Sequence, residues 1–254
     1  MINEAINFQN VQKKLRLFCF PYAGSSAVVT YKYFSDVLPK YVEVCPVELP
    51  GRGSRMSEKL VDNMNDILLD ILETIGQSIH EPYIFFGHSM GALISYELTN
   101  LFIKKSLPLP LKLYLSAHRA PFAEKDGPIM HKLNNQEFIK ELISMKGVAQ
   151  EILDHSELLN LVLPIIRNDY KLCETYSYKP HNKIDIPITV FGGKFDKDIE
   201  EEHLLQWSEL TNSNFSSFLF DGDHFFILKR KEKVTGKLIN LLNEDIIRLS
   251  KKEE

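Results

Sequence analysis

Residues 83–94 read YIFFGHSMGALI, a lone serine set inside an apolar run with Gly87 two places before it and Gly91 two places after. The first half, YIFFG, is short, aromatic and β-branched, the pattern of a strand buried on both faces. The second half, ALISYELTNLFIKK, carries helical periodicity and ends in Lys104 and Lys105, which suit the negative end of a helix dipole. Ser89 therefore sits at a sharp strand-to-helix turn. Such a turn brings its backbone close to the neighbouring strand and helix, and glycines on either side remove the Cβ atoms that would collide there. The residue left exposed at the tip is a hydroxyl facing a helix N-terminus, a suitable place for a nucleophile that develops negative charge nearby.

Working outward, five further apolar runs read as buried strands: LRLFCF (15–20), VEVCPVEL (42–49), LKLYLSA (111–117), ITVFGG (188–193) and SSFLF (216–220). Helical patterns separate several of them. Met64, Ile67, Leu68, Ile71, Leu72, Ile75 and Ile79 recur on one helical face. EEEHLLQWSEL (200–210) and the segment from about Glu232 to Leu249 also read as helices. Strands alternating with helices imply an α/β fold with a mostly parallel central sheet and helices on both faces. The stretch from about 120 to 187 breaks the alternation, with helical patterns in NNQEFIKELISM and HSELLNLVLPIIRNDYKLCETY and no strand. It is expected to be a helical lid inserted into a single domain spanning residues 1–254, covering one end of the sheet and able to move.

A serine at such an elbow needs a base and an acid. In the α/β-hydrolase fold these follow the serine in the order acid, then histidine. FGGKFDKD follows one strand and presents Asp196, with Asp198 as a rival two residues on; FDGDHFFI follows the last strand and presents His224. Both fall at carboxyl ends of strands, the edge of an open parallel sheet where ligands bind. Of the eight histidines, His224 alone combines a strand end, an acidic turn and a position after the acid. His88 is expected to point away from Ser89, and Asp221 and Asp223 to form the turn before His224. The expected site is thus Ser89 as nucleophile, His224 as base and Asp196 as its orienting acid. Backbone N–H groups of Met90 and of the loop FPYAGSS would receive the oxyanion, with Ala23 favoured over Tyr22.

Composition narrows the partners. The chain has 254 residues, 44% hydrophobic and 25% charged, with a net charge of −4, so neither nucleic acid nor an anionic membrane surface is an expected partner. MINEAINFQN lacks the basic and apolar segments of a signal peptide, no apolar run is long enough for a membrane span, and the tail SKKEE is expected to be solvated. Three widely spaced cysteines fit neither a zinc pattern nor a disulfide framework, which points to the cytoplasm. No metal or other cofactor is expected.

FCFPYAGSSA, VELPGRGSRM, FGHSMGALISYEL, LPIIRNDYKLCETY, FGGKFD and DGDHFFI occur in an order that resembles the type II thioesterases of nonribosomal peptide and polyketide synthesis, from about Leu15 to Ile227. GHSMG is shared by many hydrolases; FPYAG, LPGRGxR and the LPIIRNDY…ETY segment are far more specific. The resemblance implies a free-standing hydrolase that removes acyl groups from the phosphopantetheine arm of acyl or peptidyl carrier domains; a monomer is expected. It also implies Ser89, Asp196 and His224 as triad and Ala23 and Met90 as oxyanion donors. Arg52, Arg55 and Arg119 are candidates by position for a basic docking patch, the alternative for each being a salt bridge within the molecule. Met130, Met145, Leu153, Leu159 and Leu163 are candidates for an acyl pocket, although apolar residues at helical spacing more often simply pack together. Two departures from the family pattern stand out: Lys194 and Phe195 before Asp196, and Asn168 after Arg167. The competing readings are an esterase of small free esters, an acyltransferase or cyclising enzyme, and a binding protein on a hydrolase scaffold.

Overall fold

The computed structural model describes residues 15–124 and 127–250. The expectations for MINEAINFQN and for the end of SKKEE lie outside the described residues. In chain order the elements are β1 (Leu15–Phe20), α1 (Ala27–Val37), β2 (Val42–Pro46), α2 (Met64–Ile75), β3 (Tyr83–His88), α3 (Met90–Lys104), β4 (Leu113–Ser116), α4 (Asn135–Ser144), α5 (Gln150–Leu153), α6 (Ser156–Thr175), β5 (Ile188–Gly193), α7 (Glu201–Leu205), β6 (Phe215–Phe220), α8 (Phe226–Lys229) and α9 (Lys231–Ser250).

The six strands pair in the order β2-β1-β3-β4-β5-β6, and every pairing is parallel. The order runs one way from β1 to β2 and the other way from β3 to β6. The reversal leaves a crevice at the carboxyl ends of β1 and β3, the kind of place where open α/β sheets bind ligands. Alternate side chains of each strand go to opposite faces. Phe18, Phe20, Phe85, Leu113 and Val190 join a core with α2, α3 and Trp207, while Leu17, Cys19, Phe86, Tyr114 and Phe191 join one with α1 and α9. Helices therefore cover both faces.

The strand expectations hold with trimmed ends: β2 stops at Pro46 rather than Leu49, and β4 occupies only the middle of LKLYLSA. Helix α1 has no counterpart in the sequence reading. Its first turn, AVVT, is β-branched and unpromising by propensity. Tertiary packing and capping override this. Ala27, Tyr31 and Phe34 face the core, and the Ser26 side chain accepts from the Val29 N–H. Glu48, after β2, accepts from both Ser26 Oγ (2.6 Å) and the Ala27 N–H (3.1 Å).

Between β4 and β5 the described residues hold helices and no strand, with an isolated bridge from Ile184 to Thr211 just before β5. Met130, Phe138, Leu142, Leu163 and Ile166 form a third apolar cluster there, with Met145 and Leu159 packed against it. The side chains suggested for an acyl pocket thus largely pack on one another, except Leu153, which lies outside this cluster. Arg167 ties the segment together, donating to the carbonyls of His131 (3.0 Å) and Leu133 (2.6 Å) with its guanidinium over the Phe138 ring. Asn168, one of the departures from the family pattern, donates to the Val61 carbonyl at 2.8 Å and so fastens α6 to the segment before α2. No described helix is long and apolar enough to cross a membrane.

The sheet beneath the serine turn is held by aromatic packing. Phe86, three residues before Ser89, is fully buried with the rings of Tyr31, Phe34, Tyr114 and Phe191 around it at 5.2–6.5 Å. Phe86→Ala is expected to cost about 3–5 kcal/mol of unfolding free energy, read as a shift of the urea midpoint.

Candidate active site

Ser89 links β3 to α3 with φ 53° and ψ −118°, a conformation that L side chains rarely adopt. The surrounding backbone enforces it. A Cβ on Gly87 would lie 2.0 Å from the Gly91 carbonyl oxygen, and one on Gly91 would lie 2.2 Å from that of Phe20. Both contacts are with backbone, which cannot swing aside. The Ser89 N–H donates to the Ser116 carbonyl at the end of β4 (2.7 Å), pinning the turn to the neighbouring strand.

The structure brings the three expected side chains together from distant segments. His224 Nε2 lies 3.0 Å from Ser89 Oγ, and His224 Nδ1 lies 2.7 Å from Asp196 Oδ2. The other oxygen, Asp196 Oδ1, accepts from the N–H groups of Asp198 (3.0 Å) and Ile199 (3.2 Å). The carboxylate is thus fixed on both sides and its side chain is 1% exposed. Asp198, the rival acid, contributes its backbone to this loop while the residue itself is exposed. Asp223 stays out of the triad: its carboxylate accepts from the Phe225 N–H (3.2 Å) and pairs with Lys229 (2.6 Å) and with Lys146 (3.5 Å). Asp221 pairs with Lys194 (2.7 Å). The acid and histidine loops touch through Gly193, where a Cβ would lie 2.5 Å from the Asp223 carbonyl oxygen.

His88 turns away from Ser89. Its Nδ1 lies 2.8 Å from Ser116 Oγ and its ring packs 5.5 Å from that of His224. Complete burial, reinforced by the neighbouring His224, holds the His88 imidazole well below the usual histidine range, so it stays neutral. The ring shields one side of His224 without carrying charge into the site. Ser116, whose carbonyl and hydroxyl hold Ser89 and His88, was not picked out in the sequence; its only signal is its place at the end of the strand beside β3.

The segments carrying the two expected oxyanion donors lie side by side. Met90 opens α3, where first-turn N–H groups have no intrahelical acceptor. The loop carrying Ala23 leaves β1 against the start of α3, as the closeness of Gly91 to Phe20 and Pro21 shows. Arg52 and Arg55 are not free cations awaiting a partner. Arg52 is 3% exposed and pairs with Asp169, and Arg55 pairs with Glu58 and Asp70. Arg119 donates to the backbone carbonyls of Glu124 and Asp198.

The protein-family model described as a thioesterase domain matches residues 15–242. The chain belongs to the thioesterase family. It is 40% identical over 222 residues to the gramicidin S biosynthesis protein GrsT of Aneurinibacillus migulanus, covering 87% of this chain and 86% of that one. Among solved structures, the fold is similar to ClbQ from the colibactin NRPS/PKS pathway (TM-score 0.88, 29% identity, 92% of this chain and 99% of that one). It is also similar to BorB, the type II thioesterase of the borrelidin biosynthetic cluster (TM-score 0.81, 31% identity, 90% and 93%). The resemblance to type II thioesterases seen in the sequence is therefore shown, and the thioesterase is a serine hydrolase acting on thioesters.

The geometry separates the two candidate acids. Asp196→Asn is expected to lower kcat by about 10³- to 10⁴-fold without loss of fold, because the Asp198 and Ile199 N–H groups keep the amide oxygen and turn its NH2 toward Nδ1, which forces His224 into the wrong tautomer. Asp198→Asn is expected to stay within about two-fold of wild type, since the triad uses its backbone N–H alone. Steady-state kinetics on a chromogenic thioester, with circular dichroism as the fold control, makes the comparison.

Proposed function

We propose that the enzyme hydrolyses acyl and aminoacyl thioesters held on the phosphopantetheine arm of acyl or peptidyl carrier domains, working in nonribosomal peptide or polyketide synthesis. The observation that carries the reading is the unbroken Ser89–His224–Asp196 chain of contacts at the sheet's ligand-binding edge. The family and the named pathways of its relatives supply the substrate class.

In this mechanism His224 Nε2 takes the proton of Ser89 Oγ as the oxygen attacks the thioester carbonyl. Asp196 accepts the Nδ1–H and stabilises the imidazolium. The tetrahedral oxyanion is held by the N–H groups of Met90 and Ala23, at the positive end of α3; one such donor is worth about 3 kcal/mol in the transition state. Collapse breaks the C–S bond. The sulfur can leave as a thiolate, a far weaker base than the amide anion that an unprotonated amide would have to expel, so expulsion leans on His224 less than amide hydrolysis would; the thiolate then takes the Nε2 proton and returns His224 to its neutral form. Water, deprotonated by His224, then attacks the acyl-Ser89 ester, and the acid departs as Ser89 regains its proton.

The helices between β4 and β5 act as a lid that forms the channel for the long arm. The enzyme works without a metal or cofactor of its own, as a monomer in the cytoplasm. Cys19 and Cys45 are free thiols, which suits that reducing compartment.

Intact-protein mass spectrometry tests the proposal. A carrier domain loaded with acetyl, aminoacyl or longer acyl groups should lose the acyl mass with wild-type enzyme and keep it with Ser89→Ala. Persistence of the acyl groups alongside cleavage of small free esters would replace the carrier reading with an esterase.

A further inference from the structure

Two sequence segments are left unexplained by the triad, LPGRG after β2 and RNDY within α6. The structure joins them. The Arg52 guanidinium grips the Asp169 carboxylate with both terminal nitrogens, Nη1 on Oδ2 and Nη2 on Oδ1 (the latter at 2.7 Å). Asp169 Oδ2 also accepts from the Gly24 N–H at 2.6 Å. The side chains are 4% and 1% exposed.

As a stabilising device this pair is poor. Removing both charges from water costs several kcal/mol, and their attraction offsets that only when the remaining donors are satisfied. Here Arg52 Nε is buried with no hydrogen-bond partner among the described residues. A buried pair of doubtful net stability is better understood by what it holds in place.

It holds the loop after β1. Gly24 has φ +80°, and the space a Cβ would occupy is filled by Ile166 Cγ1 at 2.4 Å, one turn before Asp169 on α6. Helix α6 thus grips Gly24 twice, by packing and through its N–H. The peptide before Ala23 is fixed separately, because the Tyr22 carbonyl accepts from both the Ser25 N–H (3.1 Å) and Ser25 Oγ (2.8 Å). In a planar trans peptide the Ala23 N–H must point opposite to that carbonyl. Ala23 is therefore clamped between two immobilised peptide units, and its N–H direction is set by both.

We infer that Arg52 and Asp169 are positioning residues of the reaction: the buried pair locks the Gly24 amide and thereby aims the Ala23 N–H at the developing oxyanion. The inference rests on the proposed use of Ala23 as an oxyanion donor. It assigns the specific segments LPGRG and RNDY to one task, transmitting the position of α6 to the catalytic loop.

The test uses Asp169→Asn and the double variant Arg52→Met/Asp169→Leu, in which apolar side chains fill the site of the charges. A small acyl N-acetylcysteamine thioester serves as substrate, so carrier docking plays no part. Rates are expressed per Ser89 titrated with a fluorophosphonate, which removes unfolded enzyme from the comparison. Both variants should lose about 10- to 100-fold in kcat, the scale of a misplaced reacting group, with KM within about three-fold. Affinity for a trifluoromethyl ketone, which forms a tetrahedral oxyanion on serine, should fall by the same factor. Wild-type kcat per titrated site in either variant, or a rise in KM with kcat and ketone affinity intact, would overturn the inference. Ser89→Ala is run beside them: residual activity in that variant would sink the nucleophile assignment itself, a separate failure.

Discussion

The close approach of two backbones, at Gly91 and the end of β1, is the constraint on which the rest of the structure depends. With a Cβ position only 2.2 Å from the Phe20 carbonyl oxygen, no side chain is possible there. The same approach puts the N-terminus of α3 beside the loop that carries Ala23. It also forces Ser89 into a positive φ that lifts Oγ clear of the sheet. Strain of this kind persists only when surroundings over-determine it. Here the hydrogen bond from Ser89 N–H to Ser116 and the aromatic packing around Phe86 do so from below.

The triad is then assembled by topology. Its members come from the ends of β3, β5 and β6, all of which point the same way because the sheet is wholly parallel. Two loops separated by a strand spacing converge because Gly193 lets the acid loop meet the histidine loop without intervening side chains. The non-reacting oxygen of the acid is bound by neighbours. Asp196 Oδ1 is taken up by two backbone N–H groups, leaving Oδ2 for His224. His88, buried and held neutral, packs beside His224 without competing for Ser89.

Much of this was legible in the sequence because strands buried on both faces read as continuous apolar runs, and the serine turn is marked by glycines at fixed offsets. Helix α1 was not legible. Its first turn, with Val28, Val29 and Thr30, argues against a helix, although Ala27, Tyr31 and Phe34 after a capping Ser26 carried the periodic signal. Strand ends in β2 and β4 were overextended because apolar residues continue into buried loops. The Arg52–Asp169 pair could not be foreseen, since 117 residues separate its members and nothing local distinguishes a buried arginine from a docking one. For the same reason the sequence left Arg52 and Arg55 open between a docking patch and an internal salt bridge, and the structure shows the internal salt bridge for both.

The most direct test of the account is the reaction of the enzyme with a fluorophosphonate, followed by peptide mass spectrometry. One adduct per chain, on the peptide containing Ser89, is predicted, at a rate that falls by about three orders of magnitude or more in His224→Ala. An adduct on another residue, no adduct, or an equal rate without His224 would contradict the claim that these side chains form a working nucleophile and base.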